Sequence, residues 1–434
     1  MLKRIAYTIL FTTICLGSNI LSGQDNWMIH MPTVHQTYIN PAYQTSKKWE
    51  VSAASVGLDF QLGNVNASDF ISKNNEGVNI ISLEKLATAL GKNNEVGMNG
   101  SFNSLDVAFR WRGFTVTAGH GINYEFATTL NPTLVDIAAR GNADYIGKTV
   151  ELGMPASATV YQKFYLGLAG KLANLSWGVR AGYLNGWHHM HTEKMSSQLT
   201  TEADYYNITL KNDIEIYNAG IFEYNAIDEI TWIKGINDYR SFFTANHGFS
   251  LDLGLDLKLT ETAGIFASAQ NLGSITWADR AQKLTNQSTT LLKGIDLEKI
   301  IDGEDNSSFE DTLLQAFSMQ QQNTEFSRKV APRYNVGAYF TFSGTQFSAV
   351  FNLKQLSDIN QPSVFLQASR PVIPWLNIGV NYHWREGVPF NLGLLLNSKL
   401  GPVNLFGACN NAWALLKPAQ INGLSGRIGA SIGL

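Results

Sequence analysis

The chain has 434 residues, a formal net charge of -3 and only 15% charged residues. That balance carries no basic excess to recruit nucleic acid, and it is sparse for the surface of a soluble protein of this size. Aromatic residues at 11% and 38 glycines point instead to a barrel wall, where glycine relieves crowding between neighbouring strands and aromatic rings line the interfaces.

Residues 1–23 read as a signal peptide: Lys3 and Arg4 lead an apolar core from Ile5 to Leu16 that is too short to span a bilayer and stay there. Cys15 follows Ile14 and not a small residue, so no lipid anchor is expected, and Cys409 is left without an intramolecular disulfide partner. No other window offers about 18 consecutive apolar residues. An exported chain that stays in a membrane without helices must close its strands into a barrel, because closure satisfies every backbone group in lipid. The expected plan is a signal peptide at 1–23, an N-terminal tail or plug segment at 24–48 and an outer-membrane β-barrel at 49–434.

The tail contains His30, Met31, Pro32 and Thr33, then Tyr38, Ile39, Asn40, Pro41, Ala42 and Tyr43, with no clean period. Asn40 and Pro41 mark a turn, and the segment is placed in or near the barrel mouth. Residues 49–60 give a first strand, followed by an insertion in which Leu83, Leu86, Ala87 and Leu90 recur at helical spacing. Leu105, Val107, Phe109 and Trp111 then alternate with Asp106, Ala108, Arg110 and Arg112, and the chain reverses at Gly113. Strands at 114–124, 157–170 and 176–187 follow. The cleanest is 246–260, where Phe249, Leu251, Leu253, Leu255, Leu257 and Leu259 alternate with Ser250, Asp252, Gly254, Asp256, Lys258 and Thr260. Another runs from 264 to 277, and the insertion after it carries a helix expected at 308–320. From Pro332 onward the same period of two recurs through Tyr334 to Phe342, Phe347 to Leu353 and Leu376 to Trp384.

Segments of this length exceed the roughly 5 to 6 residues of strands in soluble sandwiches and suit the roughly 9 to 11 needed to cross a bilayer at a tilt. Long insertions at 61–101, 127–155, 225–247, 278–331 and 410–423 alternate with reversals at Gly113, Asn174, Glu261, Gly344, Pro371 and Gly401. Short turns on the periplasmic side and long loops outside are the mark of an up-and-down antiparallel transmembrane β-barrel. The count is fourteen strands, or sixteen if residues 192–222 hold a further pair.

The run Phe266, Ala267, Ser268, Ala269, Gln270, Asn271, Leu272, Gly273, Ser274, Ile275, Thr276, Trp277 resembles a signature of an uncharacterised Bacteroidota outer-membrane β-barrel family that carries a domain-of-unknown-function label. The Asn40, Pro41, Ala42, Tyr43 opening and the strand Pro332 to Ala338 extend the resemblance over the mature chain. It implies a barrel similar in plan to fatty-acid-transporter-like barrels, with no catalytic residues to carry over. The same opening resembles that of PorP/SprF-type gliding and secretion accessories, which implies possible machinery partners.

Few residues group as chemistry would require. His189 and His191 share a strand face and, with Glu193, offer a metal set, but a polar strand end beside Trp187 explains His188, His189 and His191 without one. Asp302, Glu304, Asp305 and Asn306 depart from the EF-hand spacing and read as a solvated acidic loop. His247, Ser250 and Asp252 suggest a hydrolytic set, yet Ser250 and Asp252 are ordinary inward positions of a regular strand. The candidate lumen-lining residues are Asp106, Arg110, Arg112, Arg180, Asp252 and Asp256, together with Lys258, Arg333, Lys354, Arg385 and Arg427.

The expected function is a channel or transporter for a small solute or lipid, with the largest insertion as a lid. The alternative is a non-conducting accessory barrel of a secretion, gliding or surface-display assembly. Enzymatic activity, a cofactor, a metal and a nucleic-acid partner are not expected, whereas outer-membrane lipid is. Facing should set tolerance: Leu253→Arg on the lipid side should cost far more than Gly254→Ser in the lumen.

Overall fold

Along the wall strands an outward, mainly apolar face alternates with an inward, mainly polar one, and such strands pair edge to edge until the last meets the first. The computed structural model describes residues 25–63, 65–73, 77–91, 94–226, 229–232, 243–292, 312, 314–356, 359–385, 391–412 and 422–434. The wall strands are β1 (Trp49–Gln61), β2 (Glu95–Trp111), β3 (Phe114–Thr129), β4 (Ala156–Leu172), β5 (Leu175–Thr201), β6 (His247–Lys258) and β7 (Ala263–Trp277). They continue with β8 (Arg333–Phe342), β9 (Thr345–Leu356), β10 (Ile359–Ile373), β11 (Leu376–Arg385), β12 (Leu392–Leu400), β13 (Val403–Cys409) and β14 (Gly423–Gly433). Each pairs antiparallel with its sequence neighbour, and β14 closes on β1 from Glu50↔Gly433 to Gln61↔Gly423, giving a 14-strand barrel. Trp49 and Leu434 exchange backbone hydrogen bonds at 3.1 and 2.9 Å, so the wall begins and ends at the short-turn rim.

The alternative of sixteen strands fails at β5. Up to Asn185 this strand pairs with β6. Beyond that point its partner on this side becomes the strand Ile208–Gly220, which in turn pairs with Gln282–Leu292. The extra pair inside 192–222 therefore builds a sheet above the wall and is not part of it.

Side-chain alternation sorts the faces as the period of two requires. Along β6, Leu251, Leu253, Leu255 and Leu257 are exposed on the outside while Ser250, Asp252 and Gly254 are buried inside. Trp49, Trp111, Phe342 and Trp375 stand exposed around the short-turn end, where rings suit a membrane interface. Among the described residues no helix is long and apolar enough to cross a membrane.

Two short turns are set by backbone chirality. Arg112 and Gly113 have φ of 48° and 88°, and Ser343 and Gly344 have 49° and 78°, the pair of left-handed residues that a two-residue hairpin needs to follow the twist of its strands. Arg112 is thus spent on the turn, its guanidinium 5.5 Å from the Trp111 ring, and does not line the lumen as its parity suggested. Pro371 is not a reversal either. It lies within β10 beside a register irregularity, and the chain turns at Pro374 and Trp375; an edge of the ladder that lacks the proline N–H explains the irregularity.

The first insertion carries α1 (Leu83–Ala89), capped by Ser82 accepting from the Lys85 N–H, where the spacing of Leu83, Leu86, Ala87 and Leu90 called for a helix. A second helix that the apolar spacing did not reveal, α2 (Pro132–Arg140), starts on Asn131 with proline in its first turn. Its Arg140 donates to the Thr88 hydroxyl at 2.8 Å and joins the two helices over the rim. The signal peptide at 1–23 and the acidic loop at 302–306 lie outside the described residues, as do 308–311 and 313 of the helix expected at 308–320; 312 and 314–316 are helical, and the chain leaves the helix at a turn at 317.

Facing alone does not set tolerance, because the inside of β6 is occupied. A side chain at Gly254 would collide with Asn40 Oδ1 and with Pro41 and Ala42, whose nearest atoms lie at 2.8 and 2.9 Å. We therefore expect Leu253→Arg to destabilise the wall by about 2 to 4 kcal/mol, the usual penalty for a cation near the bilayer midplane. Gly254→Ser should leave the wall intact and loosen the tail. Denaturant titration in detergent reports the first, and protease sensitivity of residues 25–45 the second.

Candidate functional site

The lumen is organised by the segment before β1. Two short 3-10 turns, Asp25–His30 and Val34–Tyr38, and the turn at Asn40 and Pro41 fold residues 25–48 against the inner wall. Trp27, Met28 and Met31 are fully buried in a hollow that includes Val350, Phe365, Leu395 and Phe406, with the Trp27 and Phe365 rings edge to face at 6.3 Å. Apolar side chains buried this completely contribute about 1.5 to 3 kcal/mol each, so three of them hold the end of the tail firmly.

Polar groups fix its path. Glu50 accepts from the Val34 N–H at 2.7 Å and from the Tyr43 hydroxyl at 3.1 Å. The Ser268 hydroxyl donates to the Ile39 carbonyl at 2.6 Å, and Asn40 donates to the Leu255 carbonyl at 2.9 Å. Asn40 Oδ1 also accepts from the Ala42 N–H at 3.0 Å, closing the turn. That turn presses on Gly178 of β5 and Gly254 of β6, where any Cβ would strike it; close approach of two backbones is what glycine permits here.

Above the tail sits a buried charge centre. Asp252, with no solvent exposure, accepts from Lys163 Nζ at 3.1 and 2.9 Å, from Arg180 Nε at 2.5 Å and from the Asn271 backbone N–H at 2.6 Å. Asn271 reaches in because β7 bulges there, at φ 57°, within the Gln270, Asn271, Leu272, Gly273 run. The Arg180 guanidinium lies 4.6 Å over the Tyr165 ring. Tyr165 in turn donates to Asp106 Oδ1 at 2.5 Å, and the tail's Tyr38 donates to Asp106 Oδ2. Arg427, 4.8 Å over the Tyr38 ring, donates to Ser55 at 2.9 Å and to Ser101 at 2.5 Å. One chain of contacts therefore links the wall charges to the tail.

This network borders a cavity of about 100 Å³ whose lining includes Tyr38, Lys163, Arg180, Arg333, Lys354 and Arg427. Lys354 meets Glu125, on the same lining, at 3.6 Å. Asp106 and Asp252 stand behind the wall of the cavity. Asp256 lies away from it and accepts from the Tyr339 hydroxyl at 2.9 Å. Arg110 and Lys258 are exposed near the short-turn ends of their strands, and the Arg385 side chain is outside the described residues. Lys163, Glu125, Tyr165, Asn271 and the tail's Tyr38 complete the site without having been singled out in sequence; Lys163 was in plain view as the centre of the alternating Tyr161, Lys163, Tyr165.

The two other groupings that fall on described residues do not hold together in three dimensions. His189 stacks on Trp277 at 5.1 Å and shares a hydrogen with Thr159 at 2.9 Å, and no set of three metal-ligating side chains occurs among the described residues. His247 is exposed on the opposite face of β6 from the buried Ser250 and Asp252, so the three do not meet.

Fold and site together define an outer-membrane type of β-barrel with its own N-terminal segment seated in the lumen. The chain belongs to the family of unknown function DUF5723, which it matches over residues 41–410. No curated protein matches it in sequence. Among solved structures it is similar to the toluene transporter TbuX of Ralstonia pickettii, at 11% identity and a TM-score of 0.43 over 92% of each chain. It is also similar to the toluene transporter TodX of P. putida, at 8% identity and a TM-score of 0.42 over 91% of this chain and 92% of that one. The translocator domain of the autotransporter NalP from Neisseria meningitidis gives 8% identity and a TM-score of 0.34 over 90% of each chain. At these identities and scores the likeness is one of barrel plan alone.

Removing the central carboxylate should be severe. Asp252→Asn leaves Lys163 and Arg180 buried without their counter-charge, which should cost about 3 to 5 kcal/mol; Arg110→Gln, at an exposed position, should fall within about 0.5 kcal/mol of the parent. Denaturant midpoints in detergent compare the two.

The tail itself should respond to acid. Burial lowers His30 from 6.5 to about 4, and burial with the nearby Arg427 charge lowers His35 to about 3. Their polar partners are Ser369 and Gln367 for His30, and Ser52 and Thr33 for His35. Both folded values lie below the free one, so these bases are neutral while seated. Their contribution to seating is complete above pH 6.5 and declines as the pH falls toward 4, where a released tail binds protons that the seated tail refuses. Hydrogen exchange over residues 25–45, corrected for the intrinsic rate, should be faster at about pH 5 than at about pH 7.5. The difference should shrink in the His30→Gln, His35→Gln double variant.

Proposed function

We propose that this protein is a gated outer-membrane channel for a small polar solute, exported by its signal peptide and closed by its N-terminal tail. The observation that carries this reading is the seating of residues 25–48 inside the barrel, below a polar cavity. A lumen lined by Asn, Ser, Tyr and charged side chains suits a hydrated solute better than a lipid chain. The tail, attached to β1 at the short-turn rim, takes the closing role that the insertion at 278–331 was expected to play. Its firmest hold is the burial of Trp27, Met28 and Met31 at its far end, and the rest of its path is fixed by separate hydrogen bonds. The proposal includes no catalytic step.

A second reading is favoured by one feature. Above the wall, the sheet that contains Ile208–Gly220 and Gln282–Leu292 shows an outer face of paired charges, Lys283 with Glu215 at 2.8 Å, Lys194 with Asp213 and Arg328 with Glu193. Exposed pairs of this kind are screened by water and salt and contribute little stability, and they suit a docking face for a secretion or gliding component of the PorP/SprF kind.

Planar-bilayer recordings separate the two. The full chain should be nearly silent, and Gly254→Ser, which loosens the tail without breaking the wall, should open it to discrete conducting steps. If the loosened barrel stays folded and silent, the accessory role is the better account.

A further inference from the structure

The distribution of charge around the cavity is uneven in a way the transport reading leaves unexplained. Lys163, Arg180, Arg333, Lys354 and Arg427 all reach its lining, and Glu125 is the carboxylate that does. The acids that balance them sit behind. Asp252 and Asp106 have no solvent exposure, and each has both oxygens engaged: Asp252 by Lys163, Arg180 and Asn271, Asp106 by Tyr38 and Tyr165. Asp59 is buried as well and accepts from Asn99 at 3.1 Å. Among the described residues, a solute entering the cavity therefore meets five cationic side chains and the single carboxylate of Glu125 in front, with the other carboxylates beyond them.

We propose that this cavity is a binding site for a small oxyanion-bearing solute, a compact carboxylate or phosphate. The inference rests on the reading of the lumen as a solute path and names the class of solute. Three features support the class. Guanidinium groups present paired N–H donors in the plane that a carboxylate or phosphate fills, and hydrogen bonds to an ionised acceptor are among the strongest available. Positive side chains grouped within low-dielectric walls also concentrate anions locally. The volume of about 100 Å³ admits a few heavy atoms and not an extended chain. Glu125 sets the opposite preference: facing the cavity at 3.6 Å from Lys354, it competes with any anion for that ammonium.

Binding can be measured without conduction, so the result is independent of whether the tail is a gate. The full chain in lipid nanodiscs would be titrated calorimetrically with acetate, succinate and inorganic phosphate, with glucose as the neutral control. At least one anion should bind and glucose should not. Lys354→Gln with Arg333→Gln should weaken that binding by about tenfold or more, the loss expected for a charge-assisted contact, while Arg110→Gln, exposed and remote from the cavity, should leave it unchanged. Glu125→Gln should tighten it, a change of opposite sign that does not depend on the folding of the cation variants. Heat-modifiable gel mobility verifies that each variant is a closed barrel. Absence of binding by all three anions, equal binding of glucose, or indifference of the anion affinity to Glu125→Gln would each overturn the site. A silent bilayer with intact anion binding would instead count against the channel reading alone.

Discussion

Closure of the wall is the constraint on which the rest of the molecule depends. In lipid no water is present to satisfy a free strand edge, so the backbone groups of β1 and β14 must find one another, and they do along almost the whole of β14. Once the strands are committed to a cylinder, the period of two divides every side chain between lipid and lumen. Fourteen strands also enclose more space than inward side chains fill, since about eight already suffice for a filled core. The lumen must hold water, a partner or further polypeptide. Residues 25–48 supply the polypeptide at the short-turn end, and the cavity remains above them.

Taking charges out of water carries a large penalty that only close partners offset. The lumen meets it by sharing each carboxylate among several donors: Asp252 among two cations and a backbone N–H, Asp106 between two tyrosines. The arrangement couples tail and wall, because Tyr38 belongs to the tail and Tyr165, whose ring carries Arg180, belongs to β4. Displacing the tail would remove one of the two donors that hold Asp106 and take Arg427 off its ring. Seating and the electrostatics of the cavity are therefore not independent, and a solute that rearranged Arg180 or Arg427 would be felt at Tyr38.

The wall was legible in sequence because alternation is a local signal. Leu251 to Leu257 against Ser250 to Asp256, or Phe351 against Asn352, state their facing without help from the rest of the chain. Parity also found Asp106, Arg180, Asp252 and Arg427, which the structure brings to one centre. It misplaced Arg112 because a two-residue turn ends the alternation, and it could not rank Arg110 and Lys258, which keep inward parity yet stand too near the rim to be covered. What escaped altogether was whatever depends on two distant segments. The bulge at Asn271 shifts parity by one residue and exposes a backbone N–H to Asp252, which no period reports. The collision of Gly254 with Asn40 joins residues more than two hundred positions apart, so an inward glycine read as permissive is in fact a seat.

The placement of the tail nevertheless has a trace in the sequence, in positions where inward parity falls on an apolar residue. Val350 interrupts the inward run of Ser348, Asn352 and Lys354 on β9. Phe365 lies between Ser363 and Gln367 on β10, Leu395 between Gly393 and Asn397 on β12, and Phe406 between Asn404 and Ala408 on β13. In a water-filled lumen each would be a liability, since an apolar side chain left in water forgoes about 1.5 to 3 kcal/mol. Gathered on neighbouring strands they make one oily patch on an otherwise polar inner wall, and Trp27, Met28 and Met31 cover it. The polar cavity lies beside β2, β3 and β4, whose inward faces carry Ser101, Asn123 and Lys163. The oily patch thus anchors the end of the tail while the polar cavity above it also takes lining from Arg333, Lys354 and Arg427 on other strands, and a tail released from the patch would uncover a surface that favours its return.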